Sequence, residues 1–516
     1  MNLMQVIKKK SNYYFNPTDI FSRLCNNIPA TLLLESAEVK NKNKITSMII
    51  TNSALKISAF GRNVIIKILT INGQKFISKF ICLLSKKIKV IYSINSITLK
   101  FPKIDKNFDE DKRIVALSIF DSLRTILNSF KSEKDFEKAM FLGGFFSYDL
   151  VSNFELLPKL KSTQNCPDFC FYLSEILVIL DHQKKNCFIQ ASLFSQNIIE
   201  KNRILKKVEE IDQILKKMTP VQLNKKIGST KIITNKNDKE YCEIIKKVQS
   251  YIRKGDIFQA VPSRKFFISC PYPLSAYHIL KNTNPSPYMF YMQDYKFTLF
   301  GASPESSLKY NPKNRKIEIH PIAGTRLRGL KKDNKIDFDL DNRIELEMRT
   351  NKKELAEHIM LVDLARNDLA KICKTGTRYV SDLLRVDKYK HVMHLVSCVR
   401  GELKNHLDCL HAYQACMNMG TLTGSPKVKA MEIISKLEKE KRGTYGGAIG
   451  YLTSSGEMDT CIIIRSAYVE NNLATVQTGA GVVLDSNPID EAEESRNKAI
   501  TVLKAIQASN LLLEEI

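Results

Sequence analysis

The sequence contains no tryptophan. Its 516 residues hold no uninterrupted apolar run of about 18, the length a membrane-spanning helix needs. The 12 cysteines are scattered with no C-x-x-C pair, which reads as buried or free thiols in a reducing compartment rather than a disulfide framework. No G-x-G-x-x-G follows a strand pattern, and the G-x-x-x-x-G-K-[ST] spacing of a nucleotide P-loop is missing. No Gly-flanked Cys sits at a strand-to-helix turn, so a Cys-His glutaminase is not indicated. Internal repeats are lacking, and there is no low-complexity tract beyond a lysine excess. The opening MNLMQVIKKK places its lysines after the apolar residues, the reverse of a signal peptide, so the expected compartment is the cytoplasm.

What is present describes a soluble globular chain of 44% hydrophobic and 26% charged residues, long enough for two or three domain-sized units. Net charge is +25. That value has two readings, a nucleic-acid partner or the Lys, Asn and Ile bias of A+T-rich codons. The lysines are spread out, not gathered in a stripe with interleaved aromatics, so no nucleic-acid partner is expected. A basic field still favours a polyanionic small substrate.

Along the chain, residues 1–16 read as a poorly fixed lead-in. Pro17-Thr18-Asp19 opens a short helix, and Thr31–Leu34 is an apolar strand ending in Glu35-Ser36. Residues 45–101 read as antiparallel sheet, 112–130 as one helix, 141–149 as a Gly-bearing strand and 169–194 as two strands. Polar, lysine-rich residues 196–236 separate an N-terminal region, 17–195, from a C-terminal one, 237–510; their first part, to about Met218, keeps helical spacing, and the remainder is the best linker candidate. In the second region, Lys352–Cys373 is the clearest amphipathic helix.

The chemistry concentrates between Gly443 and Lys498. Arg465 follows the buried run Ile462–Ile464, and its planar fork suits a ligand carboxylate. Gly479-Ala480-Gly481 lets backbone N–H groups approach an anion. Glu491 and Glu494 are three apart at a helix start, and Glu354 and Glu357 are three apart on the long helix. Each pair shares one face, either as a solvated face or as oxygen ligands for a hard cation such as Mg²⁺. His391 and His394 alternate on a strand and so face opposite ways; His394, between Met393 and Leu395, is a core histidine or a base able to titrate near neutrality. GTLTGSPK, residues 420–427, runs into a helix whose N-terminus can hold an anion.

Twelve short motifs then form a set in order: LLES, IFQAVPSR, NPSPYM, ASPE, PIAGT, ELAEHIMLVDLARNDL, HVMHLVS, GTLTGSPK, GGAIGY, DTCIIIR, QTGAGVV and DEAEES. They span almost the whole chain, which resembles the chorismate-utilising enzymes, in their anthranilate synthase component I branch. The resemblance implies an α+β fold of two large packed antiparallel β-sheets with surrounding helices. It implies conversion of chorismate and ammonia to anthranilate and pyruvate, with Mg²⁺ as cofactor. By the same likeness, Gly324, Thr325, Tyr445, Arg465, Gly479, Ala480 and Gly481 hold chorismate. Glu357 and Glu494 hold the metal, with Glu354 and Glu491 in support. Glu305, His394 and Thr421 are the catalytic set, Glu305 as general acid for loss of the C4 hydroxyl and His394 assisting pyruvate elimination. Leu34, Glu35, Ser36, Pro287, Tyr288 and Met289 match a site for tryptophan as feedback inhibitor.

Two departures separate this chain from other members. Isochorismate and salicylate synthases carry a water-activating Lys where this chain has Gln259. Aminodeoxychorismate synthase carries PIKGT, whose Lys attacks chorismate; here Ala323 stands in PIAGT and cannot be a nucleophile. A non-catalytic tryptophan-binding regulator would have lost the Mg²⁺ carboxylates or Arg465, and all are present. With no amidotransferase segment, the chain is expected to draw ammonia from a separate glutamine amidotransferase subunit, component II, in a heterotetramer.

Overall fold

The structure, a computed structural model, describes residues 2–36, 45–105, 108–132, 138–161, 165–221, 230–331, 335–389 and 392–510. His391 lies outside the described residues. Two long antiparallel strands, Thr46–Phe60 and Phe169–Asp181, organise it. Their register slips between Ile50 and Leu55, and the halves on either side of the slip join different sheets. On one side the ladder runs through Thr31–Glu35, Tyr288–Gln293, Thr298–Ser303, Ser466–Glu470, Leu473–Gly479 and Ser263–Ser269. On the other it runs through Phe141–Phe146, Ala448–Thr453, Met458–Ile462, Ser306–Asn311, Lys316–Ile319 and Val392–Glu402. The expected two antiparallel sheets are thus present, hydrogen-bonded through the shared strands into one network of 23 strands among the described residues. Leu32, Ile50 and Phe290 of one sheet meet Phe145, Ile449 and Cys461 of the other in a common apolar core. The fold is α+β, with helices on the outer faces.

The helix Pro488–Asn510 is fixed to the first sheet by Arg264, which is 1% exposed. Its Nε donates to Ser495 Oγ at 2.9 Å and its Nη2 to Ala492 O at 2.7 Å, while the guanidinium stacks on Tyr241 and Phe266. A buried cation is tolerated there because nearly every N–H is used. Among the described residues no helix is long and apolar enough to cross a membrane.

Three expectations change. Residues 1–16 are not a loose lead-in: Asn2–Ser11 is a strand paired with Asn186–Leu193. Lys8, Lys9 and Lys10 mask its alternation, and Lys9 and Ser11 are held by Asp212 at 2.9 and 2.6 Å. Within 45–101, Ile71–Ile81 is a helix capped by Thr70, whose hydroxyl accepts from Gly73 N. Residues 112–130 hold two helices, Glu110–Val115 and Phe120–Asn128, instead of one. Within 196–236, the helical spacing expected to about Met218 is the helix Ile198–Lys216, which buries Ile204, Val208, Ile211 and Leu215.

Candidate active site

Strand Met458–Ile462 ends next to Glu305, with Ile462 N donating to Glu305 O at 3.0 Å. Three residues later Arg465 has φ +49°, a left-handed conformation unusual for a side chain of this size. This kink joins two buried strands and leaves the guanidinium without an ion pair or hydrogen bond to protein among the described residues, with the charges of Glu494 and Tyr445 acting on it. Burial lowers its pKa, but an arginine remains protonated.

Tyr445 is buried and bonds the backbone of Gly479. Behind it lies Arg442, which ion-pairs with Glu438 at 2.6 Å and donates to Leu422 O and Val261 O. Its guanidinium lies over the rings of Tyr148 and Tyr445, so this fully satisfied cation fixes the tyrosine's position. The Gly479–Gly481 loop is held by Tyr241, whose hydroxyl meets Ala480 N at 3.3 Å. A Cβ at Gly481 would fall 2.8 Å from Gln259 Nε2, so only glycine lets that buried amide sit against the loop.

Glu305 is 6% exposed. Burial drives its pKa up to about 8, against the opposing effects of the Thr421 hydroxyl, the Ile322 N–H and the Lys498 charge. Thr421 Oγ1 lies 3.0 Å from Glu305 Oε1. At neutral pH this carboxyl carries its proton. His394 is 4% exposed and sits opposite Thr325 in the strand pairing, with Thr325 Oγ1 2.8 Å from its Nδ1. Burial, aided by Arg465, lowers its pKa to about 4. This corrects the expectation that His394 titrates near neutrality: it is a neutral imidazole whose Nδ1 is engaged.

Glu354 and Glu357 lie on the helix Lys352–Ala370, and Glu491 and Glu494 on Pro488–Asn510. Glu354 Oε1 takes Arg326 Nη2 at 2.5 Å, while its Oε2 is buried without a hydrogen-bond partner. That oxygen faces Gly324, where a Cβ would lie 2.9 Å away. A buried orphan carboxylate oxygen is what a hard cation would complete, so the donor set fits one. The four carboxylates do not converge on one point: among the described residues no three of them lie within 4.8 Å of one another. Glu494 is exposed and pairs with Lys498 at 2.6 Å. Lys498 also donates to Gly479 O at 3.2 Å and acts on Glu305. Sequence reasoning alone does not single out this lysine, although its i,i+4 spacing from Glu494 is a usable signal.

A second cavity is lined by Leu34, Glu35, Ser36, Pro287, Tyr288 and Met289 together with Lys309, Asp459 and Cys461. Met289 pairs with Glu35 across the sheet, and Ser36 Oγ donates to Pro287 O at 2.8 Å. Glu35 itself is anchored by Tyr277 and by Lys281 at 2.7 Å.

The chorismate binding enzyme family matches residues 90–504 of this chain. The chain belongs to that family. Anthranilate synthase component 1 of Buchnera aphidicola subsp. Acyrthosiphon pisum (strain APS) is 59% identical over 510 residues, covering 99% of this chain and 98% of the relative. The protein of that name from Escherichia coli (strain K12) is 53% identical over 507 residues, 98% of each. Among solved structures, anthranilate synthase component I from Streptococcus pneumoniae TIGR4 superposes with a TM-score of 0.69 at 26% identity, covering 90% of this chain and 94% of that one. This chorismate binding enzyme thus has the fold and full-length likeness of the anthranilate synthase component 1 branch.

Proposed function

We propose that the chain joins chorismate and ammonia to give anthranilate and pyruvate, as the large subunit of an anthranilate synthase. The observation that carries this is Glu305, a buried carboxyl protonated at neutral pH, beside Thr421 and in the same site as Arg465. Hydroxide leaves poorly unless protonated, so addition of ammonia at C2 with loss of the C4 hydroxyl needs such an acid. Arg465 and the Gly479–Gly481 loop take the carboxylates of chorismate, and Tyr445 supports the loop end. In the second step the C2 proton is removed and pyruvate is expelled, restoring the aromatic ring. His394, already neutral, is the acceptor for that proton, with Thr325 holding its Nδ1. Its low basicity rises once a bound carboxylate neutralises Arg465. Glu357 and Glu494, with Glu354 and Glu491 in support, hold Mg²⁺, which when bound neutralises a carboxylate of the substrate and orients it.

Gln259 and Ala323 favour ammonia over water and over a lysine nucleophile. The groove of about 730 Å³ lined by Leu364, Asp368 and Lys427 adjoins the small cavity of Glu305 and Thr421, sharing Leu364 and Asp368 with it. This groove is the proposed route for ammonia from a glutaminase subunit. Residues 237–510 supply the catalytic groups. The isolated chain with chorismate, Mg²⁺ and ammonium at alkaline pH is expected to produce anthranilate fluorescence, and none with glutamine as nitrogen source. Absence of product with ammonium would refute the activity; use of glutamine would refute the separate subunit.

Tryptophan fills the second cavity. Asp459 suits its ammonium and Lys309 its carboxylate, while Met289 and Tyr288 suit the indole. Asp459, Cys461 and Lys309 lie on the same strand pair, one strand of which follows Glu305 while the other leads to Arg465. Ser36→Phe is expected to abolish tryptophan inhibition while changing the uninhibited rate by less than about tenfold, or 1.4 kcal/mol. Inhibition curves at saturating chorismate check this, and retained inhibition would move the effector elsewhere.

A further inference from the structure

Strands Lys316–Ile319 and Val392–Glu402 pair with Glu318 opposite Arg400 and Ile319 opposite Val399. This register, with His320 just beyond the first strand, brings three ligand-type side chains to one point. Glu318, His320 and Cys398 each present a donor atom within 4.8 Å of the other two. His320 Nε2 is 3.5 Å from Glu318 Oε2 and 3.9 Å from Cys398 Sγ. One ring nitrogen carries at most one proton, and neither distance is that of a short hydrogen bond, so hydrogen bonding satisfies the group poorly. Glu318 divides its carboxylate, with Oε1 ion-paired to Arg400 at 2.8 Å and Oε2 turned to His320. Cys398 is 1% exposed.

We propose that Glu318, His320 and Cys398 form a three-ligand site for a borderline-soft divalent cation such as Zn²⁺, separate from the carboxylate set on the two helices. Sulfur and imidazole nitrogen discriminate against Mg²⁺, which takes oxygen ligands. Tetrahedral Zn²⁺, with bonds of about 2.3 Å to sulfur and 2.0 Å to nitrogen and oxygen, spaces sulfur and nitrogen roughly 3.6 Å apart and nitrogen and oxygen roughly 3.3 Å apart. The nitrogen–oxygen and sulfur–nitrogen pairs need to close by only a few tenths of an ångström, and the sulfur–oxygen pair already lies within 4.8 Å. Three protein ligands leave a fourth position for water, as in zinc sites that are not purely structural. His320 also lines the small cavity that holds Glu305 and Thr421, so occupancy fixes one wall of that cavity. The site therefore gives a metal other than Mg²⁺ a direct hold on the cavity of the general acid.

The test uses the full-length chain stripped with chelator and titrated with Co²⁺ as probe. One equivalent is expected to produce a near-ultraviolet thiolate-to-cobalt absorption band, which carboxylate sites cannot give, and Zn²⁺ should displace it while excess Mg²⁺ does not. With 12 cysteines in the chain, the assignment rests on Cys398→Ser, which should abolish the band with the circular dichroism unchanged. His320→Gln should retain the fold and weaken Zn²⁺ binding at least tenfold. No band in the parent, a full band in Cys398→Ser, or unchanged Zn²⁺ affinity in His320→Gln would each overturn the proposal. These readouts do not depend on anthranilate formation, so they stand or fall apart from the proposed reaction.

Discussion

Glu305→Gln is expected to lower kcat for ammonia-dependent anthranilate formation by about 10²–10⁴-fold, the range a positioned general acid supplies. The amide keeps the shape and still accepts from Thr421, 3.0 Å away in the parent, so chorismate should bind within a few-fold of the parent affinity. It cannot give a proton to the departing hydroxyl. The pH dependence separates this role from a packing role. Burial raises Glu305 to about 8, so the acid form predominates at neutrality and is lost as pH rises through that value. The parent kcat, measured at constant free NH₃, should fall above about 8, and the variant should lack that limb. Linkage gives a second readout. Because the folded pKa exceeds the ordinary value of 4.5, the folded state holds the extra proton between those values. The stability contributed by this group is therefore complete below about 4.5 and is lost as pH rises through about 8. Denaturation midpoints of the variant should show a flatter decline across that window. A variant within tenfold of the parent rate, or one that keeps the alkaline limb, would remove Glu305 from the first step.

Glu305 could be named as the proposed general acid from the ASPE motif only by resemblance; its protonation could not be read at all. Burial at the end of two strands sets it, and those strands, Ser306–Asn311 and Met458–Ile462, are about 150 residues apart in the chain. His394 shows the same limit from the other side. Its apolar neighbours signalled a buried strand, but the lowering to about 4 also needs Arg465, which arrives from another strand end. Patterns local to one element were legible. The helix Lys352–Ala370 and the placing of each carboxylate pair on one helix follow from spacing alone. Patterns masked by surface chemistry were not. Asn2–Ser11 is an edge-side strand whose lysines hide its buried positions, whereas Ile198–Lys216 keeps a helical spacing that its lysines do not hide. The pairing of Ser36 with Pro287 joins positions 251 apart, which no local period reports.

Metal removal is the second large effect. Chelation should abolish anthranilate formation, and Glu357→Gln or Glu494→Gln should each cost about a hundredfold, roughly 2.7 kcal/mol. The arrangement of the carboxylates adds a sharper expectation. Glu354 Oε2 is buried without a partner, yet among the described residues no three of the four glutamates lie within 4.8 Å of one another. Protein oxygens alone therefore offer Mg²⁺ an incomplete shell, and a cation that keeps several waters tolerates this only weakly. Under the proposed function, a substrate carboxylate held by Arg465, on which Glu494 already acts, would add an oxygen to that set and oppose the charge of the glutamates. Mg²⁺ and chorismate should consequently bind cooperatively, and by linkage each should tighten the other by the same factor. That factor is expected to be at least tenfold, about 1.4 kcal/mol, in calorimetric titrations of each ligand with and without the other, run on Glu305→Gln to suppress turnover. Glu354→Gln should reduce the coupling more than it reduces chorismate affinity measured without metal, because the orphan oxygen matters only to the cation. Full activity in a metal-free preparation would refute the metal requirement. Independent binding of the two ligands would instead leave the metal in place but show that the glutamates close around it without the substrate.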